Sequence, residues 1–212
     1  MDGKLIVFEG PDGSGKTTVL SEVKKRLEKD KIEFLDYREP GGTYISEKIR
    51  DIIIDKDNIA MTASCECLLF AASRAQLVEE KIKPALESGM LVLCDRFVLS
   101  SLLYQGVGRG LGIDKVKEIN DFATAGLRAD LTIFFDIDYK TALIRKRENF
   151  SADRLESEDF DFHNKIFNAY LDIAERYKKD IKKIDASKSV TEVTDQVMKL
   201  IYESLEDEQW NY

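Results

Sequence analysis

Eight residues near the N-terminus constrain this chain more than any other feature. Gly10-Pro11-Asp12-Gly13-Ser14-Gly15-Lys16-Thr17 has the spacing G-x-x-x-x-G-K-[ST]. The apolar run Lys4 to Glu9 (KLIVFE) precedes it, and Thr17 to Lys29 follows with helical spacing through Val19, Val23 and Leu27. Strand, glycine-rich loop and helix in that order form a cradle for phosphate. The glycines let backbone N–H groups turn inward, and the helix N-terminus adds unpaired donors and its positive dipole end. Gly10, Pro11, Asp12, Gly13, Ser14, Gly15, Lys16, Thr17 and Thr18 are therefore expected to bind ATP, with Lys16 on the β and γ phosphates and Thr17 on Mg2+.

The remainder of the chain repeats the strand-then-helix rhythm. Glu33 to Arg38 (EFLDYR) reads as a strand closed by Pro40-Gly41-Gly42, with helix signals from Ile45 to Ile54 and again from Thr62 to Glu87. Met90 to Cys94 and Leu131 to Phe135 are apolar without alternation, as strands covered on both faces are, and Ile181 to Asp185 is a weaker fifth strand. Strands separated by helices imply crossovers and a parallel sheet. The expected fold is α/β: three layers, a five-stranded parallel sheet flanked by helices and a small lid segment, in one domain spanning 1–212.

Composition narrows the function classes. A formal net charge of −8 argues against sequence-independent nucleic-acid binding, which needs a basic surface. An anionic substrate then requires locally clustered arginines. Apolar runs such as Leu5 to Phe8 are far shorter than the ~20 residues that cross a bilayer, and no secretory leader pattern follows Met1, so the expected location is the cytoplasm. The three cysteines are expected to be reduced. The acidic, aromatic tail 206–212 is the one stretch read as a candidate for disorder.

A phosphate loop fixes the donor and leaves the acceptor open. Four further segments bear on it: Arg38-Glu39-Pro40-Gly41-Gly42-Thr43, Phe70-Ala71-Ala72-Ser73-Arg74, Asp95-Arg96-Phe97, and Ser100 to Gly106 (SSLLYQG). With the phosphate loop, Arg128-Ala129-Asp130-Leu131-Thr132 and Asp153-Arg154-Leu155-Glu156, they resemble bacterial thymidylate kinase from Lys4 to about Ala186. The resemblance implies transfer of the ATP γ-phosphoryl group to dTMP, giving dTDP, with Mg2+ as cofactor and a homodimer as the assembly.

The resemblance also implies roles for residues. Phe70 and Arg74, at i and i+4 on one helix face, would stack on thymine and donate to its O4, with Ser100, Ser101 and Gln105 at or near the pyrimidine edge. Arg38 and Arg96 would meet the acceptor phosphate, to which guanidinium forks are suited, with Arg50 as a further active-site arginine and Glu39 and Pro40 also among the dTMP-binding residues. Asp12 would accept from the 3′-hydroxyl, Tyr104 would crowd the ribose 2′ position, and Asp95 would organise Mg2+ through water. Lys16, Asp95, Arg96 and the arginines Arg145, Arg147 and Arg154 would form the catalytic set. Gly13 stands where some family members carry an arginine, which implies the subtype whose lid is basic.

Taken alone, several of these residues have plainer readings. A helical phenylalanine is ordinarily core, Arg50 reads equally as a surface helix charge, and Tyr104 as a buried tyrosine with a structural hydrogen bond. The charged stretch 139–159 is either a mobile lid or a solvated helix face and loop. His163 is expected to be structural. The competing functions are another P-loop nucleotide or deoxynucleoside kinase, and an ATPase switch with a protein partner.

Overall fold

The structure is a computed structural model that describes residues 3–147, 154, 155, 158, 160–176 and 180–206, leaving aside the side chains of residues 139, 143, 146 and 147. Five strands, β1 (Lys4–Glu9), β2 (Phe34–Arg38), β3 (Leu91–Asp95), β4 (Leu131–Asp136) and β5 (Ile181–Asp185), form one parallel sheet in the order β2-β3-β1-β4-β5. The helices are α1 (Lys16–Lys29), α2 (Tyr44–Ile54), α3 (Ala63–Leu77), α4 (Lys83–Glu87), α5 (Val98–Ser101), α6 (Ile113–Ala123), α7 (Tyr139–Arg147), α8 (Phe160–Arg176) and α9 (Val190–Glu206). A π-helical segment, Val78–Ile82, joins α3 to α4, and a second, Leu102–Gly108, prolongs α5.

The central strand shows why the apolar runs do not alternate. Along β1 the side chains of Ile6 and Phe8 point to one face and pack with Val19, Val23 and Leu27 of α1 and Val197 and Ile201 of α9. Those of Leu5 and Val7 point to the other and pack with Leu77, Val78 and Ile82. Helices thus cover both faces, and every residue of β1 is buried. A third cluster, containing Leu103, Phe134, Ile166 and Tyr170, seats α8 against β4 and the second π-helical segment. That gives the three-layer arrangement expected.

The strand order places the functional crevice. The connection from β1 to β2 passes over β3, whereas that from β3 to β4 passes over β1 in the opposite direction. The carboxyl ends of β1 and β3 therefore lie at a topological switch point, where open α/β sheets leave room for ligands. The ends are stapled there: Arg96 N–H donates to the Phe8 carbonyl at 3.0 Å and Glu39 N–H to the Asp95 carbonyl at 3.0 Å. The phosphate loop after β1, the Glu39-Pro40 turn after β2 and the Asp95-Arg96 turn after β3 consequently meet.

Among the described residues no helix is long and apolar enough to cross a membrane. Of the charged stretch 139–159, α7, Arg154, Leu155 and Glu158 are described, while the expected tail beyond Glu206 lies outside the described residues.

Candidate active site

The phosphate loop is built as its sequence requires. Gly15 is left-handed at φ 89° and no side chain caps α1, whereas the Thr43 and Thr62 hydroxyls cap α2 and α3. The first-turn N–H groups of α1 are thus left for an anion. Lys16 Nζ donates to the carbonyls of Gly10 (2.8 Å) and Pro11 (3.0 Å) and to Ser14 Oγ at 3.4 Å. Burial, with Arg96 close by, lowers its ammonium to about 8, although Asp95, Asp12 and Glu9 act the other way. Thr17 and Thr18 are exposed at the mouth of the loop.

Beside the loop lies a cavity of about 250 Å³. Asp12, Thr17 and Asp95 line it, Arg38, Arg50 and Arg96 give it positive charge, and Phe70, Tyr104, Ser101 and Gln105 complete this part of its wall. Glu39, Pro40, Arg74 and Ser100 also reach it. Every acceptor-site residue expected from the sequence therefore falls on one cavity. Phe70 is half-buried and lies outside the buried core.

Arg96 sits at the centre. Its backbone is left-handed at φ 70°, a conformation that costs a non-glycine residue energy and recurs at functional sites. The guanidinium is ion-paired with Asp12, donates to Ser100 Oγ (3.1 Å) and lies 5.4 Å from the centre of the Tyr104 ring. Burial opposes its charge, but Asp12 and its other neighbours outweigh that and keep it firmly cationic. Asp12 thus lies in the cavity lining with its carboxylate on Arg96.

Glu9, which the sequence reading passed over, holds this turn together. Its buried carboxylate accepts from Phe97 N–H (2.9 Å), Ser100 N–H (3.1 Å), Ser100 Oγ (2.7 Å) and Tyr170 OH (2.9 Å). The available signal was a charged residue closing an otherwise apolar strand. Ser100 is spent on Glu9 and Arg96, which makes it a support for the site.

Arg74 also differs from expectation. It is 1% exposed, and all five of its N–H donors are directed at protein acceptors. These are Glu39 Oε2 (Nε 2.7 Å, Nη2 2.5 Å), Ser101 Oγ (3.0 Å), the Phe97 carbonyl (3.0 Å) and the side chain of Asn120. Contact with a base would have to pass through Ser101 or displace one of these bonds. Glu39, pushed up to about 7 by burial against the pull of Arg74, keeps Oε1 without a hydrogen bond among the described residues.

The Pro40 carbonyl accepts from both Arg38 (2.8 Å) and Arg50 (3.0 Å), which aligns two guanidinium groups on one side of the cavity. Arg38 also pairs with Glu47 at 2.9 Å. Arg50 therefore reaches the site and is not a bare surface charge.

The lid arginines fall elsewhere. Arg145 donates to the carbonyls of Ala186 (2.9 Å) and Ser187 (3.4 Å), beyond β5. Arg154 donates to the Ile53 carbonyl (2.8 Å) and Glu66 (2.7 Å), on the acceptor side. Neither guanidinium is at the phosphate loop, and the Arg147 side chain lies outside what is described. Helix α7 itself packs on the loop: a Cβ at Gly13 would stand 2.1 Å from the Ala142 carbonyl. An arginine at position 13 cannot coexist with that contact.

Residues suited to Mg2+ are present. Asp95 Oδ1 is buried with no hydrogen-bond partner among the described residues, and Thr17 lines the same cavity. No cluster of three or more acidic, histidine or cysteine ligands occurs among the described residues. A single carboxylate, a hydroxyl, substrate phosphates and water are the ligand set that Mg2+ takes in nucleotide sites.

A phosphate loop at a switch point, opening onto an arginine-bearing cavity, defines the P-loop class of phosphotransferases. The family model described as Thymidylate kinase matches residues 8–197. Proteins named thymidylate kinase from Finegoldia magna, Lactobacillus delbrueckii subsp. bulgaricus and Enterococcus faecalis are 50%, 51% and 50% identical to it. The matches cover 93%, 95% and 96% of this chain and 97%, 96% and 97% of theirs. The chain belongs to the thymidylate kinase family.

Proposed function

We propose that the protein, as one kinase domain over 1–212, transfers the γ-phosphoryl group of ATP to dTMP, yielding dTDP and ADP. The observation that carries this reading is the cavity beside the phosphate loop, whose one lining combines Arg38, Arg50 and Arg96 with Phe70, Ser101 and Gln105. An ATPase switch has no use for such a second, built pocket.

In this reading the loop N–H groups, the α1 N-terminus and Lys16 hold the triphosphate, while Arg38, Arg50 and Arg96 hold the acceptor phosphate. Arg96 exchanges Asp12 for that phosphate, which frees the Asp12 carboxylate to accept from the sugar hydroxyl. An acceptor oxygen then attacks the γ-phosphorus in line as the bond to ADP breaks. The acceptor phosphate is already ionised, so the protein supplies alignment and positive charge and needs no strong base. Thr17 and, through water, Asp95 would hold Mg2+, which supplies charge neutralisation on the phosphate oxygens when bound. Phe70 stacks on the base and Tyr104 crowds the 2′ position.

Helix α7 rests on the phosphate loop, so Arg145 and Arg147 are carried by the element next to the donor site. We assign them to closure over the transferring group, where they exclude water and add charge. We also place the enzyme in the cytoplasm, where unpaired thiols such as Cys65, Cys67 and Cys94 stay reduced.

A homodimer is supported by apolar side chains on the neighbouring helices α2, α3 and α6. Ile45, Ile52, Leu68 and Phe122 are exposed, Phe122 to 89%. Sedimentation of the intact protein as a monomer would remove that assignment.

ADP release measured with dTMP, dUMP, CMP, GMP and thymidine as acceptors tests the function. The expected result is dTMP foremost, and faster turnover of thymidine than of dTMP would overturn the reading.

A further inference from the structure

Glu66 is a buried carboxylate, 1% exposed, that phosphoryl transfer as described does not use. It lies on α3 one turn before Phe70. Its Oε1 accepts from Gln105 Nε2 (2.9 Å) and Arg109 Nε (3.1 Å), and its Oε2 from Arg109 Nη2 (3.0 Å) and Arg154 Nη2 (2.7 Å). Burial alone would raise its pKa, but the bonds from Arg109, Gln105 and Arg154 hold it below the ordinary carboxylate value. Glu66 is therefore ionised.

An ionised carboxylate only accepts hydrogen bonds. The Gln105 amide must consequently turn its NH2 toward Glu66, which leaves the carbonyl oxygen for the cavity that Gln105 lines. Close by, Arg74 Nη1 donates to Ser101 Oγ at 3.0 Å, so that hydroxyl has its own hydrogen left to give. An acceptor beside a donor matches the N3–H and O4 of thymine or uracil. Cytosine presents N3 as an acceptor, which is mismatched with the Gln105 carbonyl, whereas the Ser101 hydroxyl keeps a lone pair that can accept from N4–H and so does not itself discriminate.

We propose that Glu66 is a positioning residue for base specificity: by holding the Gln105 amide in one orientation, it makes the cavity accept from N3–H and exclude cytosine nucleotides without itself touching the base. The inference rests on the cavity taking a thymine nucleotide. Arg109, at the end of the second π-helical segment, and Arg154 clamp the carboxylate so that it cannot turn away from Gln105.

The test is acceptor specificity in Glu66→Gln. An amide at position 66 both donates and accepts, which allows Gln105 either orientation. The ratio of kcat/KM for dCMP to that for dTMP is expected to rise at least about tenfold, because the hydrogen-bond mismatch is relieved. The dUMP to dTMP ratio should stay within about twofold, since neither Gln105 nor Ser101 reads the methyl group. A purely structural role would lower all three acceptors together and leave both ratios unchanged, and that result overturns the proposal. Absence of dTMP turnover in the unaltered protein refutes the functional reading instead and is scored first. Should Glu66→Gln fail to fold, competition binding to the unaltered protein decides. N3-methyl-dTMP or dCMP binding within about threefold of dTMP contradicts an acceptor at N3, whereas weaker binding of both supports it.

Discussion

Filling the phosphate loop should change the protonation of Lys16. In the ligand-free structure burial, with Arg96 close by, holds that ammonium at about 8 against an ordinary value of 10.5. Near pH 8.5 about three-quarters of the molecules therefore carry a neutral amine. A bound triphosphate places anionic oxygens beside Nζ and returns the group toward its ordinary value, so binding at pH 8.5 takes up about 0.75 proton. Apparent ATP affinity should then weaken by up to about tenfold per pH unit above 8, or about 1.4 kcal/mol. In the ligand-free protein, stability should rise with pH from about 8 to about 10.5, because the unfolded lysine keeps a proton that the native one has lost.

Calorimetric titration of a non-hydrolysable ATP analogue with Mg2+ at pH 8.5, in two buffers of different ionisation enthalpy, counts the protons. Phosphate groups, with a second pKa of about 6, are already ionised there and contribute none. Lys16→Met should bind weakly and show no buffer dependence. No proton uptake by the unaltered protein, or equal uptake by Lys16→Met, would mean that Lys16 does not change protonation on binding.

Three substitutions probe the acceptor side and the loop. Glu9→Gln places an amide NH2 among donors from Phe97, Ser100 and Tyr170; it should cost about 1–3 kcal/mol in urea unfolding and raise KM for dTMP more than for ATP. Gly13→Ala puts a Cβ 2.1 Å from the Ala142 carbonyl at φ 82°, with an expected cost of about 1–3 kcal/mol, and an unchanged Tm contradicts the seating of α7. Arg154→Met should raise KM for dTMP with kcat within about twofold, whereas loss of kcat at constant KM would return Arg154 to the transferring phosphoryl group.

The architecture was legible because it follows from local patterns. The loop needs only its glycines, Lys16 and Thr17, and β1 and β5 occupy the residues expected, while β2 and β4 differ by a residue at one end and β3 is shifted by one residue. The single helix expected over 62–87 contains a π-helical segment at Val78–Ile82, and no feature of the apolar pattern marks it. Residues that meet across the fold were harder to find. Glu66 and Asn120 look like ordinary helix-surface positions in sequence, yet partners 39 and 46 residues away make them buried supports for Gln105 and Arg74. Arg74 looked like a base reader because its helix spacing with Phe70 was visible. The acceptors that engage it were not. The placement of Arg145 and Arg154 likewise depends on carbonyls at Ala186 and Ile53, which carry no sequence signature.

Label followed from γ-labelled ATP in the presence of dTMP and Mg2+ shows where the transferred phosphoryl group goes. Label is expected in dTDP, dependent on dTMP and lost in Lys16→Ala. Label released as inorganic phosphate at a rate indifferent to dTMP, or transferred to thymidine in preference to dTMP, would contradict dTMP as the acceptor.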